Sequence, residues 1–207
     1  MTTVHLEAEM PALPSSPPPI FTLPAPAASE RALLRLAARF DLNAGERHGR
    51  ISRHATAFTY SEGAFDLTLH RASGGFRFAD RHRWQVDHGS NVDLADNEAA
   101  RLARAHLKKL DLLPSEVRVL RVSRLHVATA GPDRVMEDHR VIDVAVHLQP
   151  IVRGLPLDGP GGKLTVYLDH EKSVTCVDFH SRRIGRVYRE VTHLHPPERA
   201  VEAARRR

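Results

Sequence analysis

Fourteen histidines in 207 residues are the first place to look for chemistry. His193 and His195 alternate along a short stretch, which on a strand turns both imidazoles to one face and could offer two nitrogens to zinc or copper. A stable site needs a third or fourth ligand. His170 and His180 are the available candidates, but no motif ties them to the pair, so structural or surface histidine is the better reading and no metal or cofactor is assigned. Asp80, His82, Asp87 and His88 in ADRHRWQVDHGS resemble acid–base machinery, yet Asp and His before Gly89-Ser90 are what a loop after a strand requires, with Trp84 and Val86 turned to the core. Cys176 is the single cysteine, which excludes an intrachain disulfide and a Cys-based zinc site. In the alternating run VTCVDF it reads as a small buried side chain rather than a nucleophile. The chain has no G-x-S-x-G elbow and no H-E-x-x-H. GPGGK at 159–163 lacks the spacing and the following Ser or Thr of a phosphate loop. No catalytic residue is assigned, and the chain is expected to be non-enzymatic.

Charge suggests a second class of partner. The formal net charge is +5 and the pI near 9.9. Arg50, Arg53, Arg71, Arg77, Arg81 and Arg83 interleave with Phe58, Phe76 and Trp84, a pattern compatible with a nucleic-acid-associated protein. Against it, only four of the thirty basic residues are Lys and the arginines are scattered through most segments. No run approaches the roughly 18 apolar residues of a membrane span, so a soluble chain is expected. MTTVHLEAEM carries Glu7 and Glu9 where a signal peptide would be basic and then apolar, and no compartment follows from it.

The elements that must position these residues follow from periodicity. Residues 1–28 form a Pro-rich N-terminal arm, with seven prolines between 11 and 28 and no helical period. Ser29 caps a helix over about Glu30 to Leu42, with Leu33, Leu36, Ala37 and Phe40 on one face and Asn43 and Gly45 as its stop. ATAFTYS, AFDLTLHRA and FRFADRHRWQV then alternate as a meander, with turns at Glu62-Gly63 and Ser73-Gly74-Gly75. A second helix runs from about Asn97 to Leu112 behind the cap Asp96. EVRVLRVSRLHVATA and RVMEDHRVIDVAVHLQPIV are antiparallel partners across Gly131-Pro132-Asp133, followed by KLTVYLDH and SVTCVDFHSRRI. Past Pro196-Pro197, Ala200, Val201 and Ala204 mark a short helix ending in Arg205-Arg206-Arg207, whose narrow apolar face calls for a partner or a continuation of the chain. The two long helices share a cap, an early Glu, an LAR core and a closing Asp-Leu. The expected fold is α+β, two helix-on-antiparallel-sheet units in tandem over 29–90 and 91–207.

One stretch carries a resemblance. VAVHLQPIVRGLPLDGPGGKLTVYLDHEKSVTCVDFHSRRI resembles the core of PepSY-type domains, as in YycH- and YycI-like regulators and the propeptides of thermolysin-type proteases. Ile151, Gly154, Pro156, Gly159, Gly161, Gly162, Leu164, Val166, Leu168 and Asp169 stand at the positions of that pattern, while Leu157 replaces the usual Val and the turn after Asp169 lacks the usual Gly. The resemblance covers residues 91–207, and 29–90 only in element order. It implies a binding, inhibitory or regulatory module at the cell envelope with a protein or peptide partner, and it transfers no catalytic residue.

Overall fold

The computed structural model describes residues 20–42, 49–83, 91–130, 136–159, 161–182, 184–189 and 199. The expected turn at Gly131-Pro132-Asp133 lies outside these residues, as does almost all of the short helix after Pro196. The order of elements is β1 (Ile20–Phe21), α1 (Glu30–Arg39), β2 (Arg50–Arg53), β3 (Ala57–Glu62), β4 (Phe65–His70), β5 (Phe76–Asp80), α2 (Asp96–Lys109), β6 (Val117–Ala130), β7 (Met136–Val152), β8 (Leu155–Pro156), β9 (Gly162–Leu168), β10 (Val174–Ser181) and β11 (Val187–Arg189). The described residues are α+β, mainly one antiparallel sheet with two helices.

Both helices end in the same way. Ser29 caps α1 by accepting from the Ala32 amide at 3.2 Å. At the other end Leu42 N–H donates to Ala37 O at 3.1 Å and Asp41 N–H to Ala38 O at 3.2 Å, the paired bonds of a Schellman motif. The helix therefore stops at Arg39, ahead of Asn43 and Gly45, because Asp41 itself takes the left-handed conformation at φ 57°. In α2 the bonds Leu112→Leu107 and Asp111→Lys108 repeat the motif, with Asp111 at φ 53°. The expected cap Asp96 is instead the first residue of α2, behind Ala95, which has no capping side chain. Its carboxylate bonds Arg124 at 2.7 Å and so is drawn away from the helix amides. The two ends also bind each other reciprocally: Arg39 pairs with Asp111 at 3.1 Å, and Lys109 with Asp41 at 3.6 Å.

Among the described residues the main sheet has nine strands, ordered β2-β3-β4-β5-β10-β9-β7-β6, with β8 off the path against β7. α1 is thus followed by four strands running to β5, and α2 by strands that run back from β6 to β10. The last strand of each run meets the other at β5–β10. The registers build two kinds of row. Ile51, Tyr60, Leu67, Phe78, Val177, Val166, Val146 and Val122 are successive neighbours across the path and make one apolar row. The next residues along, Ser52, Thr59, Thr68, Arg77, Asp178, Thr165, His147 and Arg121, make an all-polar row on the opposite face. The period of two in the sequence is what separates them.

Leu33 and Ala37 of α1, and Ala99, Ala103 and Leu107 of α2, are fully buried in a single cluster with the apolar row. Burying each Leu contributes about 1.5–3 kcal/mol. At the β5–β10 junction Phe76 stacks on Phe179 at 5.1 Å, and Phe40 from the end of α1 stacks on Phe78 at 4.2 Å. Both helices and the whole path belong to the compact unit Ala25–Arg182, within which the 90/91 boundary falls. The other unit comprises Met1–Pro24 and Arg183–Arg207, and in it β1 pairs antiparallel with β11, extended by Thr22 N–H to Arg186 O and Gly185 N–H to Thr22 O. The strand β2 and the pairs β7–β8 and β1–β11 add to the elements expected from periodicity.

The PepSY-pattern residues form hairpins. Arg153 and Gly154, at φ 51° and 75°, are the two-residue turn between β7 and β8, where Ile151 faces Pro156. Gly159 is also left-handed, at φ 87°. Gly162 has a different reason to lack a side chain, since a Cβ there would sit 2.5 Å from the Leu157 carbonyl oxygen. The Gly161 carbonyl accepts from Arg182 N–H at 3.1 Å. In the turn after Asp169 the missing Gly is replaced by Lys172 at φ 63°. Gly162→Ala is expected to lose about 1–3 kcal/mol by overpacking against fixed backbone. Gly154→Ala, with open space around its Cβ, loses only about 1 kcal/mol from the left-handed conformation. Urea unfolding of the two variants checks that order.

Candidate functional site

The polar face and the free edges of the sheet are where this fold can meet another molecule. On the polar face His147 bridges three strands: Ser123 Oγ lies 2.8 Å from Nε2 and Thr165 Oγ1 lies 3.2 Å from Nδ1. Burial, with the nearby charges of Arg121 and Lys163, lowers the His147 pKa and favours a neutral ring. A Ser–His contact is half of a nucleophilic device. The other half is a carboxylate that orients the imidazole, and the hydroxyl of Thr165 stands there instead. Sequence spacing does not reveal this bridge, because Ser123, His147 and Thr165 belong to three separate strands.

Asp143 is the most deeply buried acid on that face. It is 1% exposed, and the equally buried Thr175, the extra residue of a β-bulge between Val174 and Cys176, donates its hydroxyl to the carboxylate at 3.2 Å. Burial pushes its pKa up to about 7, against the Thr175 hydrogen bond and with help from the charge of Asp169. Asp169 is itself committed: one oxygen accepts from Ser173 N–H at 2.9 Å and the other binds Arg83 at 2.9 Å, while Arg83 also reaches Glu171 at 2.6 Å. Asp169, placed by the PepSY pattern, thus pins the β9–β10 turn. Cys176 is fully buried and its thiol is pushed up to about 12, chiefly by burial.

The other candidates are dispersed. His193 and His195 lie outside the described residues, as do Trp84, Asp87 and His88. Among the described residues no three His, Cys, Asp or Glu side chains come together as a metal-binding group. His180 stacks beside His70 at 6.3 Å, and His170 lies 4.0 Å from Glu171. Asp80 accepts from the amides of His82 and Arg83 at 3.0 and 3.2 Å, which is turn chemistry.

The arginines proposed to meet nucleic acid are divided between faces. Arg53 holds Glu30 of α1 on the helix side, whereas Arg77 lies 3.6 Å from Asp178 on the polar side. Arg81 holds Asp66, Arg83 holds Asp169 and Glu171, and Arg71 lies over the Phe58 ring. Phe58 and Phe76 are buried, so neither offers a ring for base stacking.

The sheet path has two ends. β2 is four residues long and begins and ends in arginine. β6 is fourteen residues long and, among the described residues, pairs only with β7. Along it Leu120 is 54% and Leu125 37% exposed, and Arg118 and Arg121 are exposed beside them. The register shifts between Val119 and Arg121, leaving Leu120 as an extra residue at the edge. No helix among the described residues is long and apolar enough to cross a membrane. Comparison with known proteins matches this chain to no family model, no curated protein and no solved structure.

The raised pKa of Asp143 has a defined sign in stability. The folded state binds the proton more tightly than the unfolded chain, whose carboxyl titrates near 3.8. The contribution is therefore fully present below about pH 4, is lost as pH rises toward 7, and stays lost above. Asp143→Asn, which keeps an acceptor for Thr175, is expected to remove that decline and to gain roughly 2–4 kcal/mol near pH 8. Chemical denaturation at a series of pH values measures it.

Proposed function

We propose that this chain is a non-enzymatic, PepSY-like interaction protein, built as two helix-and-meander units on a shared sheet, that takes up an extended segment of a protein partner by adding a strand to β6. The observation that carries the reading is the length of β6 as an edge. Apart from the Val117 carbonyl, which Arg104 reaches, the outer side of this fourteen-residue strand carries alternate backbone N–H and C=O groups that no described strand pairs. Strand addition satisfies those groups and gives affinity through main-chain hydrogen bonds, with side chains at alternate positions giving selectivity. The PepSY-like part of the proposal is supported by the hairpins at Gly154, Gly159 to Gly162 and Asp169, and by the order of a helix followed by antiparallel strands.

The polar groups inside the sheet support binding rather than turnover. Asp169 and Arg83 are spent on fixing a turn, His147 on bridging strands, and Cys176 has no access to solvent. A short peptide alternating Val and Thr is expected to slow hydrogen exchange at β6 amides of the full chain. The same peptide N-methylated on one edge should have no effect. Protection that appears at β2, or not at all, overturns the assignment of the edge.

A further inference from the structure

We infer that the segment received by β6 is acidic, with carboxylates at alternate positions on either side of an apolar side chain; this rests on the strand-addition reading above. Charge complementarity at an exposed edge points to it. Three arginines gather around the first half of β6: Arg118 and Arg121 on the strand, and Arg104 of α2, which reaches the Val117 carbonyl at 3.3 Å. None of them forms an ion pair with a described carboxylate. Arg118 donates to the neutral amide oxygen of Gln149 at 2.8 Å, which holds the guanidinium in place and leaves its charge uncompensated. Further along, the contrast is plain, because Arg124 is already engaged by Asp96 at 2.7 Å.

Leu120 stands between the two strand arginines at the bulge and is the most exposed large apolar side chain of the described residues. The edge therefore offers a cation, an apolar side chain and a cation in succession. A partner strand matches it with an acid, an apolar residue and an acid. Glu116, exposed just ahead of the strand, carries the opposite sign and disfavours a further acid at that end. A second copy of this chain fits poorly, since antiparallel addition of β6 to itself about Val119, with Leu120 bulged out of the ladder, sets Arg118 against Arg121, and like charges facing each other across strands are destabilising.

The test is binding by the full chain of four fluorescent probes: a short peptide alternating Glu and Val, its Lys-for-Glu counterpart, the Glu peptide N-methylated on one edge, and a short single-stranded oligonucleotide. The Glu peptide alone is expected to bind, and Arg118→Glu with Arg121→Glu should weaken it roughly tenfold or more, in a salt-dependent manner. Both positions are exposed, and an unchanged melting temperature of the double variant shows that the fold is retained. Equal binding of the Lys peptide overturns the acidic partner while leaving strand addition standing. Binding of the Glu peptide that ignores N-methylation overturns strand addition, and the inference with it. Tighter binding of the oligonucleotide assigns the arginines to nucleic acid, and a dimer in sedimentation that the double variant strengthens assigns the edge to self-pairing; either result overturns the proposal.

Discussion

The pairing of β5 with β10 is the constraint on which the rest depends. Each is the last strand of its own run of strands, and the two come from segments almost a hundred residues apart. The joint is asymmetric in chemistry. Phe76 stacks on Phe179 on the helix side, while Arg77 faces Asp178 on the polar side. Without it, each half would present a second unpaired edge next to its own core. With it, the apolar row is continuous from Ile51 to Val122 and both helices cover one cluster. The joint also decides where the free edges fall, at a short, arginine-flanked β2 and at the long β6.

The helices reinforce this arrangement by reciprocity. Asp41 and Asp111 occupy the same place in the same helix-terminal motif, each in the left-handed conformation that Gly usually fills. Each is bound by the basic residue that closes the other helix. Exposed ion pairs add little energy, so their value lies in fixing which helix end meets which. The stacked Phe40 then ties α1 to β5 at the joint itself.

Much of this was legible in the sequence because it depends on local periodicity. The faces of α1 and α2 and the strands β3 to β5, β6, β7, β9 and β10 follow from spacing alone. The ends of the helices did not, since Asp41 and Asp111 take a conformation for which Asn and Gly are better signals, and Asp96 exchanges a capping role for Arg124. β2 is four residues with no clear alternation. The interacting groups on the polar face were out of reach for a deeper reason. Asp143 and Thr175, and likewise Ser123, His147 and Thr165, meet only once strand order is known. Arg118 and Arg121 become an edge feature only because β6 is last in that order.

Native-state hydrogen exchange reads directly whether β5 and β10 form the centre of one cooperative sheet. Amides of both strands are expected to exchange only through global unfolding, with the same free energy and the same denaturant dependence as those of β4 and β9. Exchange at the β5–β10 pairing through a lower-energy opening, with β4 and β9 still protected, would contradict it.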